Sequence, residues 1–489
     1  MKLSDLMKDI SYRLVGYLSD DFLAKEVEHV TVDPHRADEK TLFVCARFAT
    51  GDSHNSVNAA YSVGCRMFLA ERRLPTLPDD AAVLVVENTK KLLGELAARC
   101  HGHPARSLTV FGITGTTGKS AVAHTLTALL RRTGHAVASL TTDGVDIGGA
   151  LSPFGSVAPN GADIQAILKK FLDTGVEFAV IEFSAYMLEN HAHAAIPFVA
   201  LLLTDFDPSH VGNGLYPDPS VYRWIKASLF EGDAPFLVFP ANFDDFSVRK
   251  SRVRRLYFGE DGDLQATNLK PVSEKRGFGT RFTLCLKSGE KEFVSLPVPG
   301  DNAVQNALAA TSLALIAGLS LKEIAAGLSD YMPYGRLECV GAYEGRYIYV
   351  DSAYTGEDLA RALQTLSLYT KGRLSVLIGS VGGRARDRRP TLGKAAVQYA
   401  DFVYLTADNP DCEDPRLICE DMMQGMDDRA RCCVIPDRRQ AIKCAVLEMR
   451  PGDTLLLAGK GGEHFQFIQG KREIFIEREI VAKALLDIC

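Results

Sequence analysis

Gly112-Ile113-Thr114-Gly115-Thr116-Thr117-Gly118-Lys119-Ser120 sits where an apolar run (108–111) gives way to a helical pattern (121–130). A strand feeding a glycine-rich turn and then a helix N-terminus is a phosphate cradle. Backbone N–H groups and the positive end of the helix dipole face the anion. Lys119 adds a mobile charge for the β/γ-phosphates, and Ser120 offers a hydroxyl to Mg²⁺. The strict pattern wants Gly at position 113, where this chain has Ile, so the match is to the variant G-x-T-G-T-x-G-K-[ST]. Thr114, Gly115, Thr116, Thr117, Gly118, Lys119 and Ser120 are therefore the expected nucleotide-binding residues. The alternative is a glycine-rich turn with an incidental lysine.

The 489 residues are enough for about three domains. A 46% hydrophobic and 24% charged composition is ordinary for a soluble α/β protein. The net charge of −6 and the lack of a basic stripe give no reason to expect nucleic acid. No apolar run is long enough to cross a bilayer, and no secretory leader is recognised, so membrane insertion is not expected. The eleven cysteines are scattered without a Cys-x-x-Cys, as reduced cytosolic thiols are. A cytoplasmic location follows, with a monomer as the expected state.

Outward from the loop, the chain divides at 1–105, 106–332 and 333–489. The first segment carries short strand-like runs at 42–45, 66–70 and 82–86, then a helix at 90–99. The second continues through apolar runs at 178–183, 199–204 and 236–239 and closes with a helix near 304–317. In the third, runs at 347–350, 374–378, 402–406, 433–435 and 454–458 alternate with helical patterns. Continuous apolar runs imply strands buried on both faces, hence parallel sheets flanked by helices. The expected fold class is α/β, in three domains.

Several further motifs follow in order: Ile181-Glu-Phe-Ser184, Thr204-Asp-x-x-x-x-His210, and a Tyr222-x-x-x-Lys226-x-x-Leu-Phe. Then come Asn242-x-Asp-Asp245, Gly335-Arg-Leu-Glu338, Asp408-Asn-Pro-x-x-Glu-Asp-Pro415 and Ala458-Gly-Lys-Gly461. Together with the phosphate loop and Asp33 to Leu42-Phe43, this series resembles the Mur ligases over essentially the whole chain, most closely their E-type branch. The resemblance implies a UDP-binding N-terminal α/β domain, a central P-loop ATPase domain with a parallel sheet, and a Rossmann-like C-terminal domain that binds an amino acid. It implies a ligase of peptidoglycan precursor synthesis that moves the γ-phosphate of ATP onto a carboxylate. An amino acid's amine then attacks the acyl phosphate.

The same resemblance suggests roles. Lys119, Glu182, His210 and Lys226 are the expected catalytic residues, and Ser120, Glu182, His210 and Lys226 the expected ligands of two Mg²⁺ ions, with Lys226 carbamylated. Without the resemblance, Glu182 reads equally as a cap or salt-bridge residue, His210 as a structural histidine, and Lys226 as a solvated helix lysine. Asn306, Arg336 and Asp351 are expected at the nucleotide. Arg384, Arg389, Asp408, Asn409, Asp411, Gly459 and Glu463 are expected at the incoming amino acid, with a solvated basic loop as the alternative for the two arginines.

Departures from the family pattern cluster. Asp411 stands where diaminopimelate-adding enzymes carry an arginine that grips the distal carboxylate, so a terminal ammonium, as in lysine or ornithine, suits it better. On the acceptor side, Val157-Ala-Pro159, Ser184-Ala-Tyr-Met187 and Asp33-Pro-His35 replace Thr-Thr-Pro, Ser-Ser-His-Ala and Asp-Ser-Arg. Thr117, Ala303 and Tyr354 replace Asn, Asn and His near the nucleotide. The expected activity is ligation of an amino acid to UDP-N-acetylmuramoyl-dipeptide or a related acceptor. A degenerate paralogue that binds nucleotide as a regulator, a ligase of different acceptor, and a folylpolyglutamate-synthetase-like activity are the alternatives.

Overall fold

The computed structural model describes residues 1–16, 21–49, 51–74, 77–78, 80–153, 158–207, 216, 218–243, 246, 252–274 and 277–487. It divides into two compact units, Met1–Phe258 with Ser312–Ala317, and Gly259–Thr311 with Gly318–Cys489. Among the described residues no helix is long and apolar enough to cross a membrane.

Among its described residues the first unit carries two main sheets and a two-stranded ribbon of Arg47–Phe48 with Gly51–Asp52. Near the N-terminus the strand order is Arg13–Gly16, Ala82–Val85, Met67–Ala70, Thr41–Val44 and His29–Thr31. Only the edge strand Arg13–Gly16 runs antiparallel to its neighbour. The helix Thr89–Cys100 covers this sheet's core through Leu93, Leu96 and Ala97.

The second sheet is built around Thr109–Thr114, which lies between Phe178–Glu182 and Phe198–Leu203 and is parallel to both. Val137–Thr141 extends it on one side, and Phe236–Pro240 and Arg254–Phe258 on the other, all parallel. The hairpin Gly144–Ile147 and Ala150–Ser152 adds an antiparallel edge. Because the central strands are parallel, their C-terminal ends lie together at one edge, where open α/β sheets carry their ligand groups. Thr114, Glu182 and Leu203 are those ends.

In the second unit, Leu264–Glu274, Gly277–Leu286 and Lys291–Leu296 form an antiparallel meander. Its six-stranded sheet runs in the order Glu338–Tyr343, Arg346–Asp351, Thr454–Ala458, Leu374–Ile378, Phe402–Leu405, Cys432–Val434. All neighbours after the first pair are parallel. Period-2 alternation sends Val376, Ile378, Val403 and Leu405 to one face, against the helices Gly356–Ser367, Arg388–Tyr399 and Pro415–Met423. Leu377, Tyr404, Leu455 and Leu457 face the other way, against Arg438–Leu447 and Glu477–Leu486. This two-sided burial explains why the strands read as unbroken apolar runs.

Candidate functional site

At the end of Thr109–Thr114 the chain turns through the phosphate loop into the helix Lys119–Arg132. Gly115 has φ +148°, and a Cβ there would lie 1.9 Å from Thr204 Oγ1, so no other residue fits. Lys119 Nζ donates to the Thr116 carbonyl at 2.9 Å.

Ser120 and Glu182 come from different elements, the first turn of the helix and the end of Phe178–Glu182. Ser120 Oγ donates to Glu182 Oε2 at 2.7 Å and lies 3.1 Å from Thr142 Oγ1. Thr142 N–H donates to the same carboxylate oxygen at 3.1 Å. These are hard oxygen donors of the kind Mg²⁺ takes, gathered beside a phosphate cradle, so the residues fit that ion. Among the described residues the carboxylate caps no helix and makes no ion pair within 4 Å. No group of three His, Cys, Asp or Glu suited to a metal comes together among the described residues. His210, the expected ligand of a second Mg²⁺, lies outside them, as do Val157 and Asp245.

Lys226, on the helix Pro219–Ser228, is 1% exposed. Its Nζ donates to the Gly115 carbonyl at 2.8 Å and to Thr114 Oγ1 at 3.1 Å. The Thr114 hydroxyl in turn donates to the Phe183 carbonyl at 2.9 Å. Both partners of the amine are neutral, so burial drives its pKa well below the ordinary lysine value, and the Lys119 charge pushes the same way. The solvated-lysine reading is thereby excluded.

Asp205 stands in the Thr204-Asp motif, but the sequence reading gave it no role. Its Oδ1 accepts the Thr116 and Thr117 N–H groups at 2.7 and 2.8 Å, and its Oδ2 the Thr117 hydroxyl at 2.5 Å. Two amides expected at the nucleotide's phosphates thus meet an internal carboxylate. The clue lay in the sequence, an acidic residue directly after the apolar strand beside the loop.

The remaining expected residues lie in the second unit. Asn306 is half-buried on Asp301–Ile316. Asp351 ends Arg346–Asp351, and its two oxygens accept the Leu337 and Ala353 N–H groups at 2.7 and 2.8 Å. Burial raises its pKa to about 6, against the opposing pull of Arg336. The carboxylate therefore organises the turn that carries Arg336.

Asp408, Asn409, Gly459 and Glu463 do come together, around a lysine that the sequence reading left out. Lys460 is fully buried, with Nζ 3.1 Å from Asn409 Oδ1 and Glu463 Oε2 and 3.3 Å from Asp408 Oδ1. Gly459 has φ +104°, and a Cβ there would meet Asp408 Oδ2 at 3.5 Å. Burial raises the Glu463 pKa despite Lys460. Lys460 is thus the cation shared by the Asp408 and Glu463 carboxylates.

Arg389 requires a correction. Its guanidinium is fully buried and grips both Glu413 oxygens at 2.8 Å, Asp421 at 2.8 Å and the Val381 carbonyl at 2.9 Å. The pairing lowers the Glu413 pKa to about 2. With both terminal nitrogens held by internal partners and the side chain fully buried, Arg389 is an anchor for the loop, and only its buried Nε lacks a hydrogen-bond partner. Arg384 is exposed and remains the candidate. Asp411 is also partly engaged, since its Oδ1 accepts the Gly470 N–H at 2.7 Å and so ties down the hairpin Phe465–Ile468 and Lys471–Ile474.

Behind this cluster Arg438 donates to the Ala407 and Ala458 carbonyls at 3.3 and 2.9 Å, one residue before Asp408 and Gly459, and to Glu477 at 2.7 Å. Both ions are buried. Arg438→Met leaves Glu477 without its cation and is expected to cost about 3 kcal/mol of stability. Urea denaturation checks this, and the Arg438→Met/Glu477→Met double variant should recover most of the loss.

Residues 113–314 match the Mur ligase middle domain, and residues 335–461 the Mur ligase, glutamate ligase domain. The chain is 30% identical to the UDP-N-acetylmuramoyl-L-alanyl-D-glutamate–2,6-diaminopimelate ligase of Clostridium botulinum, over the full length of both. It is also 30% identical to the enzyme of that name from Aquifex aeolicus, over 96% of each chain. Among solved structures, a UDP-N-acetylmuramoyl-L-alanyl-D-glutamate–2,6-diaminopimelate ligase superposes with a TM-score of 0.70 at 23% identity, covering 100% of this chain and 99% of that one. The MurF ligase of Thermotoga maritima in complex with ADP gives 0.59 at 19% identity, over 95% and 99%. Full-length identity at this level, together with the order of the motifs, makes this chain a member of the Mur ligase family.

Proposed function

We propose that this ATP-dependent Mur ligase adds a diamino acid with a terminal ammonium, such as lysine or ornithine, to UDP-N-acetylmuramoyl-L-Ala-D-Glu or a closely related acceptor. ATP dependence is supported by the intact loop and by the Ser120–Glu182 pair beside it. In this reading Ser120 and Glu182 hold Mg²⁺, which supplies charge neutralisation at the transferring phosphoryl group. Lys119 holds the β/γ-phosphates. Lys226, as a neutral amine, can take up CO₂ with release of one proton, becoming an anionic carbamate. The acceptor carboxylate attacks the γ-phosphorus and ADP leaves. The amino acid's amine then attacks the acyl carbon, phosphate leaves, and the amine gives up a proton. Residues 1–105 hold the UDP moiety, 106–332 the ATP, and 333–489 the amino acid, in a cytoplasmic enzyme.

The choice of amino acid rests on Asp411. Its relatives are named for diaminopimelate, whose distal carboxylate would face this acidic side chain. Phosphate release from ATP with Mg²⁺ and the UDP-dipeptide, against lysine, ornithine and diaminopimelate in turn, tests the reading, with Lys119→Ala as blank. Lysine or ornithine should lead. Preference for diaminopimelate overturns the amino-acid assignment, and silence across the set with nucleotide still bound points to a different acceptor or a non-catalytic role. Asp411→Arg is expected to lower turnover with lysine about tenfold and raise it with diaminopimelate by a similar factor. Competition assays with the two amino acids measure the switch.

A further inference from the structure

The phosphate loop of this chain is held from two sides. Lys226 takes the Gly115 carbonyl and the Thr114 hydroxyl. On the other side, Thr204 Oγ1 donates to the Thr117 carbonyl at 2.5 Å, and the next residue, Asp205, collects three donors from Thr116 and Thr117. Thr204 also packs directly against Gly115, whose missing Cβ makes room for it. The chain just beyond the strand Phe198–Leu203 thus grips the loop by backbone and side chain together.

The match of donors to acceptors is specific. Three of the four donors presented by Thr116 and Thr117 point at one carboxylate, which has only acceptors to offer, and the fourth, the Thr116 hydroxyl, donates to the Asp207 carbonyl at 3.2 Å. An amide side chain would supply one acceptor oxygen and one competing NH₂. Charged hydrogen bonds of 2.5–2.8 Å are also the short, strong kind. The half of the loop at 116–117 is therefore spoken for within the protein. The donors left for a nucleotide's phosphates are those of residues 118–120 and the Lys119 ammonium.

We infer that Asp205 is a positioning residue of the nucleotide site: its carboxylate braces residues 116–117, so that phosphates bind on the helix side of the loop. The inference rests on the ATP-binding reading above. It assigns Thr116 and Thr117 to loop architecture, where the sequence motif had them at the phosphates. A braced loop presents its remaining amides already aimed, and the ordering cost is met before nucleotide arrives.

The test uses full-length protein, with ADP and ATP as probes. Wild-type binding of ADP by calorimetry is read first, and its absence sinks the ATP-binding reading itself, separately from the role of Asp205. Given wild-type binding, Asp205→Ala is expected to weaken ADP affinity and raise the KM for ATP about 10- to 100-fold. The kcat and the KM values for amino acid and acceptor should stay within about threefold. Asp205→Asn, which keeps one acceptor for the two N–H groups, should recover most of the affinity. Thr117→Val, which removes only the hydroxyl donor, should produce a smaller loss of the same sign. Thermal melting separates these effects from misfolding, and Thr117→Val carries the test if the alanine variant does not fold, its unchanged affinity then overturning the proposal. Unchanged nucleotide affinity in Asp205→Ala overturns the proposal. Tighter binding overturns it too, because the carboxylate would then be competing with the phosphates for the same amides. An Asn variant no better than Ala also counts against it.

Discussion

Lys226→Met is expected to lower ligase turnover by at least about 10³-fold, the scale at which removal of a transition-state-stabilising group is felt. The amine has no carboxylate among its hydrogen-bond partners; it donates to a carbonyl and a hydroxyl. Burial and the neighbouring Lys119 charge hold its pKa well down, so the unprotonated form that can capture CO₂ is favoured far below the pH at which a solvated lysine would lose its proton. The sign follows directly: capture persists as the pH falls and is lost only once the pH passes below the depressed pKa. Methionine keeps the buried volume but can neither donate to Gly115 nor form a carbamate. Lys226→Arg keeps a cation and donors yet forms no carbamate, so it should be equally inactive. Two measurements check this, turnover in CO₂-depleted buffer with bicarbonate added back, and the carbamate carbon seen by NMR after ¹³C-bicarbonate labelling. Full activity in the arginine variant would sink the carbamate.

Much of this architecture is legible in the sequence, for physical reasons. Strands buried on both faces leave unbroken apolar runs, and the expected 374–378 and 454–458 coincide with Leu374–Ile378 and Thr454–Ala458. The largely exposed strand Leu264–Glu274 carries Gln, Thr, Asn, Lys, Ser and Glu among its apolar residues, and Gly277–Leu286, though mostly buried, is broken by Gly, Thr and Arg. They gave no such run and were missed. In the same way Ser120 and Glu182 were identifiable because each sits at the end of a strongly patterned element. Lys460 was not, because its contacts depend on partners far away in the chain, and Asp205 left only the clue of an acidic residue directly after an apolar strand. A lysine among glycines gives no sign that Asp408, some fifty residues earlier, will meet it. Arg389 shows the opposite failure. A basic loop advertises anion binding, but Glu413 and Asp421 claim the guanidinium within the fold, and no local pattern says so.

Glu182→Gln, the second large effect, is expected to lower kcat/KM about 10³-fold and to shift the Mg²⁺ dependence of turnover to higher concentrations. Glutamine has nearly the same shape, and its carbonyl oxygen can still accept the Ser120 hydroxyl and the Thr142 N–H that now meet at Oε2. What it removes is the negative charge. A neutral oxygen is a much poorer partner for a small, strongly hydrated dication, which gives up its waters reluctantly and is usually held through one or two carboxylates. The loop and Lys119 are untouched, so binding of ADP without Mg²⁺ should match the wild type, while the added affinity that Mg²⁺ confers should largely disappear. Ser120→Ala, which deletes a neutral donor oxygen and leaves the carboxylate in place, should cost less than Glu182→Gln. The order of the two variants separates the readings. If Glu182 serves only to hold Ser120 and Thr142 in place, the isosteric amide should be nearly silent and the Mg²⁺ dependence unmoved. A metal-holding carboxylate requires the reverse, with charge mattering more than shape.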